Sequence, residues 1–138
     1  MQNKKILVIG GSSGIGEAIT KKVATNNKVI ATYRNNFKDN AENIEYREFD
    51  VIKNMPEKLE IDGPLDSIIY CPGTINLKPF HRFSEQELID DFSVNVIGFL
   101  KIFSFFKKNL LQRENASVIL FSSVAAQKGI PFHTQVAC

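Results

Sequence analysis

The run Gly10-Gly11-Ser12-Ser13-Gly14-Ile15-Gly16 constrains the fold of this chain more than any other part of it. It follows Lys5-Ile6-Leu7-Val8-Ile9, a β-branched, almost wholly apolar stretch without alternation, as in a strand buried on both faces of a parallel sheet. After it the period changes. Ile15, Ile19 and Val23 recur four apart while Glu17, Lys21 and Lys22 fall on the other side, which predicts an amphipathic helix laid over that sheet. Glycines between two such elements let the chain reverse sharply and let backbone N–H groups approach an anion, whose charge the helix N-terminus favours. Gly10, Gly14 and Gly16, with Ile15 among them, are therefore the candidate cradle of a pyrophosphate; the plainer reading is an ordinary strand-to-helix turn.

The same alternation continues along the chain. Asn26-Asn27 can close the first helix, because asparagine tolerates the left-handed conformation there. Val29 to Tyr33 reads as a second strand, followed by a polar loop from Arg34 to Asn43, and Ile44 to Phe49 as a third. Asp66 to Tyr70 is a fourth strand after the turn Asp62-Gly63-Pro64. Ser84-Glu85-Gln86-Glu87 has the capping-box pattern, and Leu88, Phe92, Val96, Phe99, Phe103 and Phe106 follow at helical spacing, which predicts one long helix from Ser84 to about Leu111. The adjacent Phe105 and Phe106 point about 100° apart on a helix, so one of them is free to face a partner. Ser117 to Phe121 is a last apolar strand, ending at Ser122-Ser123. Strands alternating with helices imply an α/β fold over residues 1–138, a three-layer, doubly wound parallel sheet.

Charge and composition narrow the function. With 17 basic and 15 acidic residues and a net charge of +2, the chain lacks the field of a nucleic-acid or acidic-membrane binder, so neither partner is expected. Two cysteines, Cys71 and Cys138, make no disulfide framework and suit a reducing cytoplasm. The most apolar stretch, Val94 to Phe106, is interrupted by Lys101 and falls short of a membrane span, so a soluble chain is expected. His81 and His133 offer no metal-ligand spacing, and no metal site is expected.

Taken in order, the motifs resemble those of the short-chain dehydrogenases/reductases, whose nucleotide-binding half is Rossmann-like. Ile9-Gly10-Gly11-Ser12-Ser13-Gly14-Ile15-Gly16 is similar to the family's TGxxxGIG, with Ile9 replacing Thr. Asp50-Val51 resembles the pair after the third strand whose Asp meets the adenine. Tyr70-Cys71-Pro72-Gly73 sits where the family has Asn-Asn-Ala-Gly and keeps only Gly73. Asn95-Val96 with Gly98 resembles the helix segment carrying the active-site Asn, and Ser122-Ser123 the strand end bearing the catalytic Ser, 28 positions after Asn95. The resemblance implies that Asn95 and Ser123 belong to the catalytic apparatus. It also implies a Tyr 13 positions after Ser123, where this chain has Val136, and a Lys four positions further on.

A cofactor preference follows from charge. A site for NAD wants a carboxylate at the end of the second strand, and none occurs from Lys28 through Lys38. Arg34 occupies that region, and its guanidinium suits the 2′-phosphate of NADP, with Ser12, Ser13 and Asn35 able to add donors; NADP(H) is thus favoured over NAD(H). Each of these residues also has a plainer reading: Arg34 as a solvated loop residue, Asp50 and Ser123 as turn formers, and Asn95 as a polar residue satisfied within its helix. The resemblance implies an NADP(H)-dependent oxidoreductase acting on a carbonyl or secondary alcohol, 3-oxoacyl compounds among the candidates, and association into a homo-oligomer. The alternatives are a nucleotide-binding protein without catalysis, for which Val136 is the motive, and a fragment of a longer enzyme.

Overall fold

The structure is a computed structural model and describes residues 2–137; Cys138 lies outside the described residues. Five parallel strands, β1 (Lys5–Ile9), β2 (Lys28–Tyr33), β3 (Ile44–Glu48), β4 (Ser67–Tyr70) and β5 (Ser117–Leu120), form one sheet in the order β3-β2-β1-β4-β5. In register, Leu7 lies beside Ile30 on one flank and Ile68 on the other. The unalternating apolar run of β1 is explained by this central position. Ile6 and Val8 pack on one face beneath α1 (Gly14–Ala24), and Leu7 and Ile9 on the other beneath α3 (Gly98–Leu110). Each such side chain, taken fully out of water, contributes about 1.5–3 kcal/mol. The Rossmann-like, layered parallel sheet expected from the sequence is the observed architecture.

The flanking layers differ. On the α3 side Ile102, Phe106 and Leu110 recur at helical spacing and are buried against Leu7, Ile68 and Tyr70. On the α1 side the buried residues are Gly16, Thr20 and Ala24, while Ile19 and Val23 flank the contact and Ile15 is 64% exposed. The expected inner stripe of Ile15, Ile19 and Val23 is thus rotated. Small residues four apart take the inner line because the helix lies too close to the sheet for larger ones. Asn26 and Asn27 also differ from expectation, since neither adopts positive φ. The Asn27 amide closes α1 with its side chain, donating to the Val23 carbonyl at 2.7 Å and accepting from the Lys4 amide at 3.0 Å.

The expected single helix from Ser84 is α2 (Glu85–Phe92), a π-helical turn over Ser93–Ile97, and α3, joined without a break. The capping box is present, with Ser84 accepting from the Glu87 amide and the Glu87 carboxylate accepting from the Ser84 amide. Phe106 is fully buried while Phe105 remains 40% exposed, so the pair divides between core and surface. β5 occupies a sheet edge with Val118, Ile119 and Leu120 all exposed. No helix among the described residues is long and apolar enough to cross a membrane.

Candidate functional site

At the C-terminal ends of β1, β2 and β4 a cleft of about 260 Å³ opens between the glycine turn, the loop after β2 and Gly73. Its geometry begins with Gly10, whose φ of +74° reverses the chain and whose amide donates to the buried Thr32 hydroxyl at 2.9 Å. Gly14 also lies in the left-handed region, with φ +52°. Gly11 and Gly16 are required by proximity. A Cβ on Gly11 would lie 2.6 Å from Thr20 Oγ1, and one on Gly16 would lie 2.1 Å from the Gly10 carbonyl oxygen. Ser13 occupies the N-cap of α1 with its side chain making no cap hydrogen bond. The first recorded turn closes only at the Glu17 amide, which donates to the Ser13 carbonyl at 3.0 Å. The amides of Gly14, Ile15 and Gly16 and the Ser13 hydroxyl are therefore available to an anion at the positive end of the helix.

Of the residues expected to hold a cofactor, Gly10, Ser12, Ser13, Arg34, Asn35, Val51 and Gly73 line this cleft. Gly14, Ile15 and Gly16 do not; they form the first turn of α1 behind it. Asp50 is also outside the lining. Its carboxylate accepts from the amides of Ile52 at 2.9 Å and Lys53 at 3.3 Å, the pattern of a turn-forming aspartate. Arg34 is exposed at the rim and forms no ion pair among the described residues. Two residues beyond it, Asn36 donates to the Ser12 carbonyl at 2.7 Å and fastens the loop after β2 to the glycine turn. Sequence reading passed over Asn36 and Thr32, since a lone Asn or Thr in these positions carries no periodic or spacing signal.

A second cavity, of about 980 Å³, contains both expected catalytic residues, Asn95 and Ser123, and Val136 in its wall. Asn95 projects from the π-helical turn. That turn is seated by Tyr70, whose hydroxyl donates to the Val94 carbonyl at 2.5 Å, and by Gly98, where a Cβ would strike Tyr70 Oη at 2.4 Å. Burial pushes the Tyr70 phenol well above its ordinary range, so it remains a donor. The Asn95 amide donates to the Asp91 carbonyl at 3.0 Å and faces Thr74 Oγ1 at 3.4 Å. Ser123 accepts from the Ala125 amide at 3.1 Å through its Oγ, which leaves the hydroxyl proton for another partner. Thr74 borders both cavities and donates to the Asp91 carboxylate. Asp91 is buried, and burial holds its carboxyl above the usual range, partly offset by a hydrogen bond from Asn95. Neither Asp91 nor Gln135, which also enters this cavity, was singled out from sequence, because both sit among the polar positions of amphipathic segments.

Comparison with known proteins places the fold. A solved short chain dehydrogenase family protein from Francisella tularensis superposes with a TM-score of 0.86 at 20% identity, covering 98% of this chain and 57% of that one, which is a likeness of fold. A short-chain dehydrogenase/reductase from Serratia marcescens gives a TM-score of 0.81 at 21% identity over 99% of this chain and 64% of that one. Among curated sequences, an uncharacterized oxidoreductase of Saccharomyces cerevisiae is 28% identical over 91% of this chain and 44% of its own length. The 2,3-dihydro-2,3-dihydroxybenzoate dehydrogenase of Bacillus subtilis is 25% identical over 95% of this chain and 56% of its own. The chain thus spans about half the length of the curated relatives it matches. A glycine turn at the head of α1, and Asn95 and Ser123 around one cavity beside it, are accompanied by a match to the short chain dehydrogenase family model over residues 4–135, and the chain belongs to that family.

Proposed function

We propose that this chain forms the NADP(H)-binding part of an oxidoreductase that interconverts a carbonyl and a secondary alcohol. The observation that carries the reading is the exposed Arg34, without an ion pair among the described residues, at the rim of a cleft whose other wall is the glycine turn, with no carboxylate among the described residues of the lining. The residues fit a dinucleotide: the amides of the first turn of α1 and the Ser13 hydroxyl would hold the pyrophosphate, and Arg34 with Asn35 the 2′-phosphate. When bound, such a cofactor supplies or accepts the hydride. Ser123 would hydrogen-bond the substrate oxygen, while Asn95, steadied by the π-helical turn, would order the polar wall beside it.

The test is a titration of NADPH and NADH against the wild type and Arg34→Ala. NADPH should bind more tightly, and removing one charge-assisted phosphate contact should weaken it by about 1.5–3 kcal/mol with little effect on NADH. Equal affinities in the wild type would end the assignment.

A second reading, nucleotide binding without catalysis, is favoured by Val136, which stands in the cavity wall where the family's tyrosine is expected and offers no hydroxyl. NADPH oxidation measured with ketones and 3-oxoacyl thioesters separates the two. The exposed apolar residues Leu100 and Leu111, about 20° apart around α3 and its end, support a homo-oligomer formed through this helix.

A further inference from the structure

The larger cavity is mostly apolar, walled by Phe92, Ile97, Phe121 and Val136, yet two buried residues with acceptor side chains, Asp91 and Gln135, are part of its wall. Gln135 is 7% exposed, and its Nε2 donates to the Glu87 carbonyl at 2.8 Å. That bond fixes the orientation of the amide, because a carbonyl can only accept. Gln135 Oε1 is consequently the acceptor, and it is buried without a hydrogen-bond partner among the described residues. Asp91 follows Glu87 by one helical turn, so the Glu87 carbonyl that Gln135 grips is also the one that receives the Asp91 amide within α2. Asp91 is 8% exposed, accepts from the Thr74 hydroxyl, and has no cationic partner among the described residues. Lys78 is paired with the Glu87 carboxylate at 2.5 Å.

We infer that this cavity selects substrates that carry, on an apolar body, a further hydrogen-bond donor beside the reacting oxygen, received by Gln135 Oε1 and the Asp91 carboxylate. A buried acceptor left unpaired is unfavourable, and a donor entering on the ligand removes that cost; a ligand lacking one leaves the acceptor stranded. The donor is a hydroxyl or a protonated amine, since both satisfy an amide oxygen and a carboxylate, and the anionic Asp91 adds attraction for the second. The inference rests on reading this cavity as the substrate side of the dehydrogenase site.

The experiment compares cyclohexanol, trans-cyclohexane-1,2-diol and trans-2-aminocyclohexanol as ligands of the full chain by calorimetry or ligand-observed NMR, with and without NADP⁺. A separate NADP⁺ titration reads the cofactor cleft, so failure there overturns the dehydrogenase reading, whereas the diol preference of the cofactor-free protein reads the cavity itself. The wild type should bind the diol about tenfold more tightly than cyclohexanol. Gln135→Leu and Asp91→Asn, each checked for folding by circular dichroism, should reduce that preference to about twofold while leaving cyclohexanol nearly unchanged. Either variant suffices if the other fails to fold. A further gain for the amino alcohol that vanishes in Asp91→Asn identifies a cationic donor, and the absence of a further gain identifies a neutral one; both support the inference. A wild type indifferent to the second donor, or a preference undiminished in both variants, would overturn it.

Discussion

Replacing Gly16 with alanine sets two magnitudes against each other. Helix propensity favours the change by about 0.8–1 kcal/mol, because glycine is the worse helix former. The new Cβ, however, would lie 2.1 Å from the Gly10 carbonyl oxygen, 3.0 Å from its carbon and 3.2 Å from Cys71 Cβ. Two of these are backbone atoms at a turn fixed by the bond from the Gly10 amide to Thr32, so they cannot swing aside like a side-chain end. α1 must instead retreat by about 1 Å, which separates Thr20 and Ala24 from β1 and β2; overpacking of this kind costs about 2–3 kcal/mol. The net expectation is a loss of about 1–2 kcal/mol, read in urea as a midpoint lower by roughly 0.5–1 M for a slope near 2 kcal/mol/M. Helix propensity alone predicts the opposite sign. A Gly16→Ala protein as stable as the wild type, or more so, would refute the claim that proximity rather than conformation requires glycine here.

Three further outcomes follow from burial and charge. Phe106→Ala should cost about 3–5 kcal/mol in denaturant unfolding, and Phe105→Ala less than about 1, because only the first is enclosed. Asp66 feels an upward push from burial, outweighed by the Lys5 amide, the Lys4 ammonium and the charge of Arg113, and its carboxyl lies below the ordinary value. Its stabilisation is therefore complete above the unfolded-state pKa and fades as pH falls through the depressed folded value. The stability gap between wild type and Asp66→Asn should close over that acidic interval, and a gap independent of pH would contradict it. Burial raises the Cys71 thiol to about 11, so iodoacetamide near pH 8 should leave the native Cys71 peptide almost unmodified by mass spectrometry and label it on unfolding.

The residues that could be read from sequence are those with a repeating or spacing signal. The unbroken apolar run of β1, the capping box at Ser84 and the helical recurrence of apolar residues up to Phe106 each declared an element, but of that recurrence only Phe106 is buried: Phe92 is 55% exposed, and the inner line of α3 is Gly98, Ile102, Phe106 and Leu110. α1 was found in place but rotated, since its inner line is Gly16, Thr20 and Ala24, and small residues carry little weight in a hydrophobic pattern. The π-helical turn around Asn95 left no trace in sequence: one extra residue per turn changes no residue type, and its support comes from Tyr70, 24 positions away. Ser123, Asn95 and Val136 were aligned by motif spacing, and the fold brings them to one cavity. Thr74, Asp91 and Gln135 were not, because their significance comes from meeting across three separate segments.

The narrow inner line of α1 also bears on motion. A helix that meets its sheet through glycine, threonine and alanine buries little apolar surface for its length, so its seat is defined by shape more than by adhesion. Lifting it away costs less than extracting α3 with its enclosed phenylalanine, and the amides of α1 should therefore exchange with solvent through openings smaller than global unfolding. The anion-facing end of the helix is then carried on one of the molecule's less tightly held elements. A ligand clasped by those first-turn amides would quieten α1 along its whole length, so that the occupancy of the cleft would be recorded in the exchange rates of residues as distant from it as Val23 and Ala24.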